Sequence, residues 1–214
     1  MKWQDCNSGE QERKSKRMKW IPAIEVESAH GTREVSLTTR HLMNRNMFLQ
    51  GSIDSEMAND FLSELLYLEE SDEPVTLYIN SPGGEVGAGL MIYDAIQGSK
   101  LTINMICTGL AASMAAIVFA GGQKGRRYIL PHSKVMIHEP LISGGVGGSA
   151  TSIKNISDSI LGTRKTLNRI LAKHTGKSEK EINKATSFDN TMNAEEAVRF
   201  GLCDKITTSI RVDT

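Results

Sequence analysis

The chain has 214 residues, and its 25 lysines and arginines are balanced by 25 aspartates and glutamates. That length suits one domain with a sizeable core, and zero net charge argues against a nucleic-acid binder relying on a broad basic surface. The three cysteines, Cys6, Cys107 and Cys203, are odd in number and lack metal-ligand spacing; this disfavours a disulfide framework or a structural zinc site and fits a reducing cytosol.

Residues 1–19 are polar and charged, with no apolar core for a secretory signal, so a disordered tail is expected. Met-Lys-Trp occurs at 1–3 and again at 18–20, which leaves open a start at Met18 or a removable leader. Ile24, Val26, Val35 and Leu37 alternate with polar residues around Ala29-His30-Gly31-Thr32, predicting a hairpin. A short buried strand over 47–49 ends at Gly51. Met57, Phe61, Leu65 and Leu68 recur at helical spacing, predicting a helix over 55–71 capped by Asp54 or Ser55.

Residues 75–79 are rich in β-branched and aromatic side chains and read as a strand. It runs into Asn80-Ser81-Pro82-Gly83-Gly84, a predicted turn, and then a helix facing Leu90, Ile92, Ala95 and Ile96 inward and closing at Gly98. A strand over 101–107 is expected to break at Gly109. Residues 111–120 then form a helix apolar all round, hence buried, and far short of the roughly 20 residues that span a membrane. Strands follow at 127–130 and 134–138, then a glycine-rich loop at 143–149. A long helix is marked by Ile153, Ile156, Ile160, Leu167, Ile170 and Leu171, with Gly162 weakening it. Ser178 and Glu181 make a capping box, Asn193 caps a last helix that Gly201 ends, and 202–206 is a closing strand. Strands alternating with helices predict an α/β fold with a mainly parallel sheet.

The two predicted turns, at Gly83-Gly84 and at Gly109 to Ser113, each follow a strand and open a helix, where ligands sit in such sheets. Ser113 sits among small residues at a helix mouth and reads either as a capping serine or as a nucleophile with room for a substrate carbonyl. Of five histidines, His30 and His41 lie in the polar N-terminal region and His132 in a Pro-His-Ser turn. His174 closes the long helix, where a favourable dipole contact accounts for it. His138 differs, ending an apolar strand at its carboxyl edge, and reads either as a satisfied structural histidine or as a base for that serine. A carboxylate partner is not selected by spacing alone. Glu139 points to the opposite strand face, and Asp189 is a candidate in a loop between two capped helices.

Tyr78-Ile-Asn-Ser-Pro-Gly-Gly84, Gly109-Leu-Ala-Ala-Ser-Met-Ala115, Leu130-Pro-His-Ser-Lys-Val-Met-Ile-His-Glu-Pro140 and His174-Thr-Gly176 occur in this order. Together they resemble the proteolytic subunits of the ATP-dependent Clp protease family, over about residues 21–206. The resemblance implies a crotonase- and Clp-protease-like spiral of ββα units with a mainly parallel sheet. It implies one domain over 20–214 with a protruding handle helix at about 148–175. It further implies a serine endopeptidase with catalytic residues Ser113, His138 and Asp189 and an oxyanion hole made by the N–H groups of Gly84 and Met114. No cofactor or metal is implied in this chain, because ATP is used by a partner AAA+ unfoldase.

The expected partners are identical subunits in one or two stacked heptameric rings, the unfoldase and unfolded polypeptides, with no nucleic acid and no membrane, in the cytoplasm. Residues 21–33 match the family's pore segment. The loop at 143–149 is longer and richer in glycine than the family's usual turn, Ser187-Phe188 replaces a common charged pair that links rings, and Gly162 lies in the ring-meshing helix. Thr76 stands at an often aromatic position of the pocket for the unfoldase loop, and Tyr78 is retained. Two other readings stay open: a non-catalytic or weakly active ring subunit partnering an active paralogue, and a crotonase-type acyl-CoA enzyme that stabilises a thioester oxyanion without a Ser–His pair.

Overall fold

The computed structural model describes residues 22–28, 31–142 and 147–212. The expected tail or leader, residues 29–30 of the hairpin turn and residues 143–146 of the glycine-rich loop lie outside the described residues. Those described fall into two compact units that divide between Arg40 and His41.

In the first unit, β1 (Ala23–Ser28) and β2 (Gly31–Ser36) pair antiparallel, with Ile24 opposite Val35 and Val26 opposite Arg33. Leu37 does not extend the hairpin, as its alternation suggested, but opens α1 (Leu37–Met43). The Ser36 hydroxyl accepts the Thr39 N–H at 3.0 Å, and this local cap overrides the alternation.

The second unit holds the sheet that carries the site. β3 (Asn46–Ile53) leads into α2 (Ser55–Leu68), whose first turn is capped by the Asp54 carboxylate on the Met57 N–H at 2.9 Å. β4 (Val75–Gly84) buries alternate residues from Val75 to Ile79, then continues through Ser81-Pro82-Gly83-Gly84, where a turn was expected. Its end still pairs with β3, Gly83 opposite Ser52 and Gly84 opposite Ile53. Pro82 lacks an N–H, but it falls in the register shifts of β4, where neither β3 nor β5 pairs with it. α3 (Val86–Gly98) follows and buries Ala88, Ile92, Tyr93 and Ile96.

β5 (Ile103–Ala112) is also longer than its glycine suggested. Gly109 does not end the strand but sits in a bulge: Ile79 pairs with Cys107 and Ser81 with Ala111, so β5 carries two more residues than β4 between those pairs. The Asn80 side chain mends the ladder by accepting the Leu110 N–H at 3.1 Å. A Cβ on residue 109 would lie 2.6 Å from that oxygen, so glycine is required there. β5 then gives way to α4 (Met114–Ala120), buried at every position. α4 begins three residues later than the composition indicated.

β6 (Arg127–Ile129) and β7 (Lys134–Ile137) both pair parallel with β5. β6 takes its first half, at Met105 to Cys107, and β7 its second, at Leu110 to Ala112. α5 (Ala150–Thr175) is a single helix of 26 residues that Gly162 does not interrupt, and it closes at Gly176 in the left-handed conformation. Only Leu167, Asn168 and Leu171 of α5 are buried, while Ile153 and Leu161 are exposed. α6 (Glu179–Ala185) starts with the expected Ser178–Glu181 capping box. β8 (Asn190–Met192) was not anticipated; its three residues are too few to show a period, and antiparallel pairing with β7 creates it. α7 (Ala194–Phe200) has its Asn193 box and ends at Gly201, and β9 (Lys205–Ile206) is shorter than the expected 202–206. The sheet order is β3-β4-β5-β6-β9, with β7 on β5 and β8 on β7. Within this sheet every pairing is parallel except β7–β8, so the molecule has the α/β class and mainly parallel sheet expected of it.

Candidate active site

Ser113 joins β5 to α4. Its N–H donates to the Met136 carbonyl at 2.9 Å, so the β5–β7 pairing holds it against β7. Its φ is 54° and ψ −123°, a conformation that costs a non-glycine residue about 1–3 kcal/mol. It occupies the capping position of α4, yet its side chain makes no capping bond. The hydroxyl is therefore free for another partner. That partner is the His138 ring, with Nε2 2.8 Å from Ser113 Oγ.

His138 is the first residue past β7, so the strand that receives the Ser113 N–H also delivers the imidazole. β8 brings the acid. Asn190 pairs with Ile137, which leaves Asp189 beside His138. Asp189 Oδ1 lies 3.2 Å from His138 Nδ1, an ion-pair distance, but the ring N–H is not aligned for a hydrogen bond. The histidine side chain is 14% exposed and the aspartate 76%, so the carboxylate stands largely in solvent in the isolated chain. The fold thus gathers Ser113, His138 and Asp189 into one line, with the second link the looser one.

The other two sequence candidates are backbone amides. Met114 is the first residue of α4, so its N–H has no acceptor within the helix. Gly84 ends β4 across the cleft. Neither Gly83 nor Gly84 tolerates a side chain. A Cβ on Gly83 would meet Ala112 O at 2.6 Å and Ser113 Cβ at 2.7 Å, and one on Gly84 would fall onto the Ile53 backbone. The cleft between these amides and His138 has a volume of about 230 Å³. Besides Ser113 and His138, the side chains lining it are apolar, among them Val86, Ile117, Leu141, Leu167 and Leu171.

Among the described residues the remaining histidines and cysteines do not join this line. The dipole contact expected of His174 implies a charged ring, and the structure corrects it. Burial, with Lys173 and Arg127 nearby, depresses its pKa to about 4, and its Nε2 sits 2.9 Å from the Tyr93 hydroxyl. His132 is exposed, and His41 packs edge-on to Phe48 at 5.2 Å. Burial pushes the Cys107 thiol up to about 11 and the Cys203 thiol to about 12, which makes both poor nucleophiles. Among the described residues no group of three or more His, Cys, Asp or Glu side chains is placed to hold a metal ion.

Three arrangements escaped sequence reasoning. Glu139 reaches Arg164 on α5, with Oε2 3.0 Å from Nε. Arg127, 2% exposed, clasps Asp204 through two nitrogens, at 2.6 and 3.0 Å. Burial pushes the Asp204 pKa up, but hydrogen bonds from the Arg127 side chain and the Arg127 and Gly125 amides outweigh it and hold the carboxyl below its usual range. Tyr78 stacks on Phe48 at 5.2 Å and donates its hydroxyl to the Ile210 carbonyl at 2.9 Å. These partners are far apart in sequence, so no local pattern marks them. No helix among the described residues is long and apolar enough to cross a membrane.

A family model described as Clp protease matches residues 29–210 of this chain. The chain belongs to that family, whose members are peptidases that form rings and work with AAA+ unfoldases.

Proposed function

We propose that this member of the Clp protease family is a serine endopeptidase subunit that cleaves unfolded polypeptides inside a ring-shaped compartment fed by an ATP-dependent unfoldase. The observation that carries the reading is the 2.8 Å approach of His138 Nε2 to a Ser113 hydroxyl withheld from capping. In the proposed reaction His138 takes the Ser113 proton as Oγ attacks the scissile carbonyl. Asp189 fixes the ring tautomer and stabilises the imidazolium. The N–H groups of Gly84 and Met114 hold the developing oxyanion, and losing one such donor costs about 3–4 kcal/mol of barrier stabilisation. His138 then protonates the leaving amine, and water resolves the acyl-enzyme.

The apolar walls of the cleft suit an apolar substrate side chain next to the cleaved bond. Base and nucleophile both come from side chains, so the proposed hydrolysis uses neither metal nor nucleotide in this chain; ATP belongs to the unfoldase. The reading treats 20–214 as one Clp-protease-like domain, with 148–175 as the handle that meshes one or two heptameric rings and 1–19 as a tail or leader. It places the protein in the cytoplasm, supported by the odd cysteine count, and involves no nucleic acid or membrane.

The test is a fluorophosphonate probe with mass mapping, run beside hydrolysis of a fluorogenic peptide. An adduct on Ser113 that a Ser113→Ala variant lacks is expected. A folded, assembled sample that takes no label and cleaves no peptide refutes the reading. The largely exposed Asp189, whose contact to His138 misses hydrogen-bond alignment, favours one second reading: a subunit weakly active until ring contacts or a paralogue complete the site. Peptidase activity that rises steeply with assembled mass would select it.

A further inference from the structure

His138 lies one residue beyond β7, where ladder bonds no longer fix the chain. Residue 139 takes over that task. Its N–H donates to the Thr186 carbonyl at 2.7 Å, and its carboxylate meets Arg164 of α5 at 3.0 Å, a charge contact rather than an aligned hydrogen bond. Pro140 follows and restricts Glu139 to extended backbone. Thr186 is itself fully buried, and its hydroxyl donates to Asn168 Oδ1 at 3.2 Å and the Ile182 carbonyl at 3.0 Å. Asp189 comes three residues after Thr186. One knot on α5 and α6 therefore anchors both the segment that leaves His138 and the segment that enters Asp189.

We infer that Glu139 and Arg164 are a positioning pair for the general base: the ion pair sets the direction of the chain at residue 138 and so the aim of the imidazole at Ser113. The inference rests on the serine-peptidase reading. Glu139 acts through the backbone, since its carboxylate is engaged by Arg164 on the handle helix rather than by the His138 ring. The pair ties the helix proposed to mesh rings to the chain neighbour of the residue that must be aimed. A shift of α5 would be felt at His138 through one side-chain contact.

The test compares the full-length wild type with Glu139→Gln, Arg164→Met and the exchanged pair Glu139→Arg with Arg164→Glu. Peptide kinetics, fluorophosphonate labelling of Ser113 and mass in solution are measured for each. Each single variant is expected to lose about tenfold in kcat, with KM within about twofold, as a small misplacement of a reacting group does. Labelling should slow in parallel, and the exchanged pair should recover at least about half the lost activity, as restoring the interaction requires. Singles matching the wild type in kcat and labelling overturn the inference while leaving the peptidase reading intact. So do singles that lose activity only together with fold or assembly, or an exchanged pair no better than either single. A wild type that neither labels nor cleaves overturns the peptidase reading, and the positioning role with it.

Discussion

Gly83 offers the sharpest test of how the fold holds the proposed nucleophile. Its φ is +90°, and a Cβ there would lie 2.6 Å from Ala112 O, 2.7 Å from Ser113 Cβ and 2.9 Å from Met114 N. Two of these are backbone atoms, so a rotamer change cannot relieve the overlap. The third would sit about 0.7 Å inside ordinary van der Waals contact. In Gly83→Ala the left-handed backbone costs about 1–2 kcal/mol. Overpacking adds about 1–3 kcal/mol. Ser113 and the Met114 amide must both retreat by several tenths of an ångström. A 1 Å misplacement of reacting groups costs on the order of 100-fold, so kcat/KM should fall about 10- to 100-fold. Gly87 in α3 is the control, because a Cβ there meets nothing within 4 Å. Gly87→Ala should hydrolyse the fluorogenic peptide within about twofold of wild type and gain a few tenths of a kcal/mol in stability. A folded Gly83→Ala protein that cleaves and labels as fast as the Gly87 variant would refute the claim that Gly83 shapes the floor under Ser113.

Three further outcomes are expected. Asp204→Ala leaves the buried Arg127 guanidinium without its carboxylate and should cost about 3–5 kcal/mol in denaturant unfolding; a wild-type midpoint would contradict the role given to this clasp. In the wild type the contribution of Asp204 is present above the ordinary carboxylate pKa near 3.8 and fades as pH falls toward its lower native value. His174 has the sign of a histidine held neutral. The unfolded chain binds its proton near pH 6.5 and the native chain only near pH 4, so stability should decline as pH falls through that window. His174→Gln should flatten that part of the profile, and an unchanged slope in equilibrium unfolding would count against it. Gly162→Ala, in mid-helix with open space around a new Cβ, should stabilise α5 by about 1 kcal/mol and raise the thermal midpoint.

Much of the scaffold can be read from local signals, and the failures have physical causes. Caps at Asp54, Ser178 and Asn193, and the left-handed end at Gly201, depend on neighbouring residues and appear where the sequence puts them. The two glycine motifs mislead. Asn80 to Gly84 and Gly109 carry turn composition, but both lie in strands held by partners elsewhere in the sheet. β8 and the placement of Asp189 come from pairing with β7, which no spacing announces. Ser113 and His138 stand out because each ends an apolar run with a polar group. Their convergence depends on β5 and β7 being neighbours, a tertiary fact. Arg164 and Arg127 sit unremarkably in the text and find their acids only through packing.

The two surplus residues of β5 opposite Asn80 set a rule of parity. An even offset lets Ala111 and Ala112 keep the same faces they would have had without it, and Ser113 keeps its side. Lengthening or shortening this stretch by one would force a choice between sliding along β7, which turns those side chains over, and dismantling the turn that Asn80 fastens. Relatives that vary here should therefore do so in steps of two, and an engineered single-residue insertion should silence the hydroxyl without touching it.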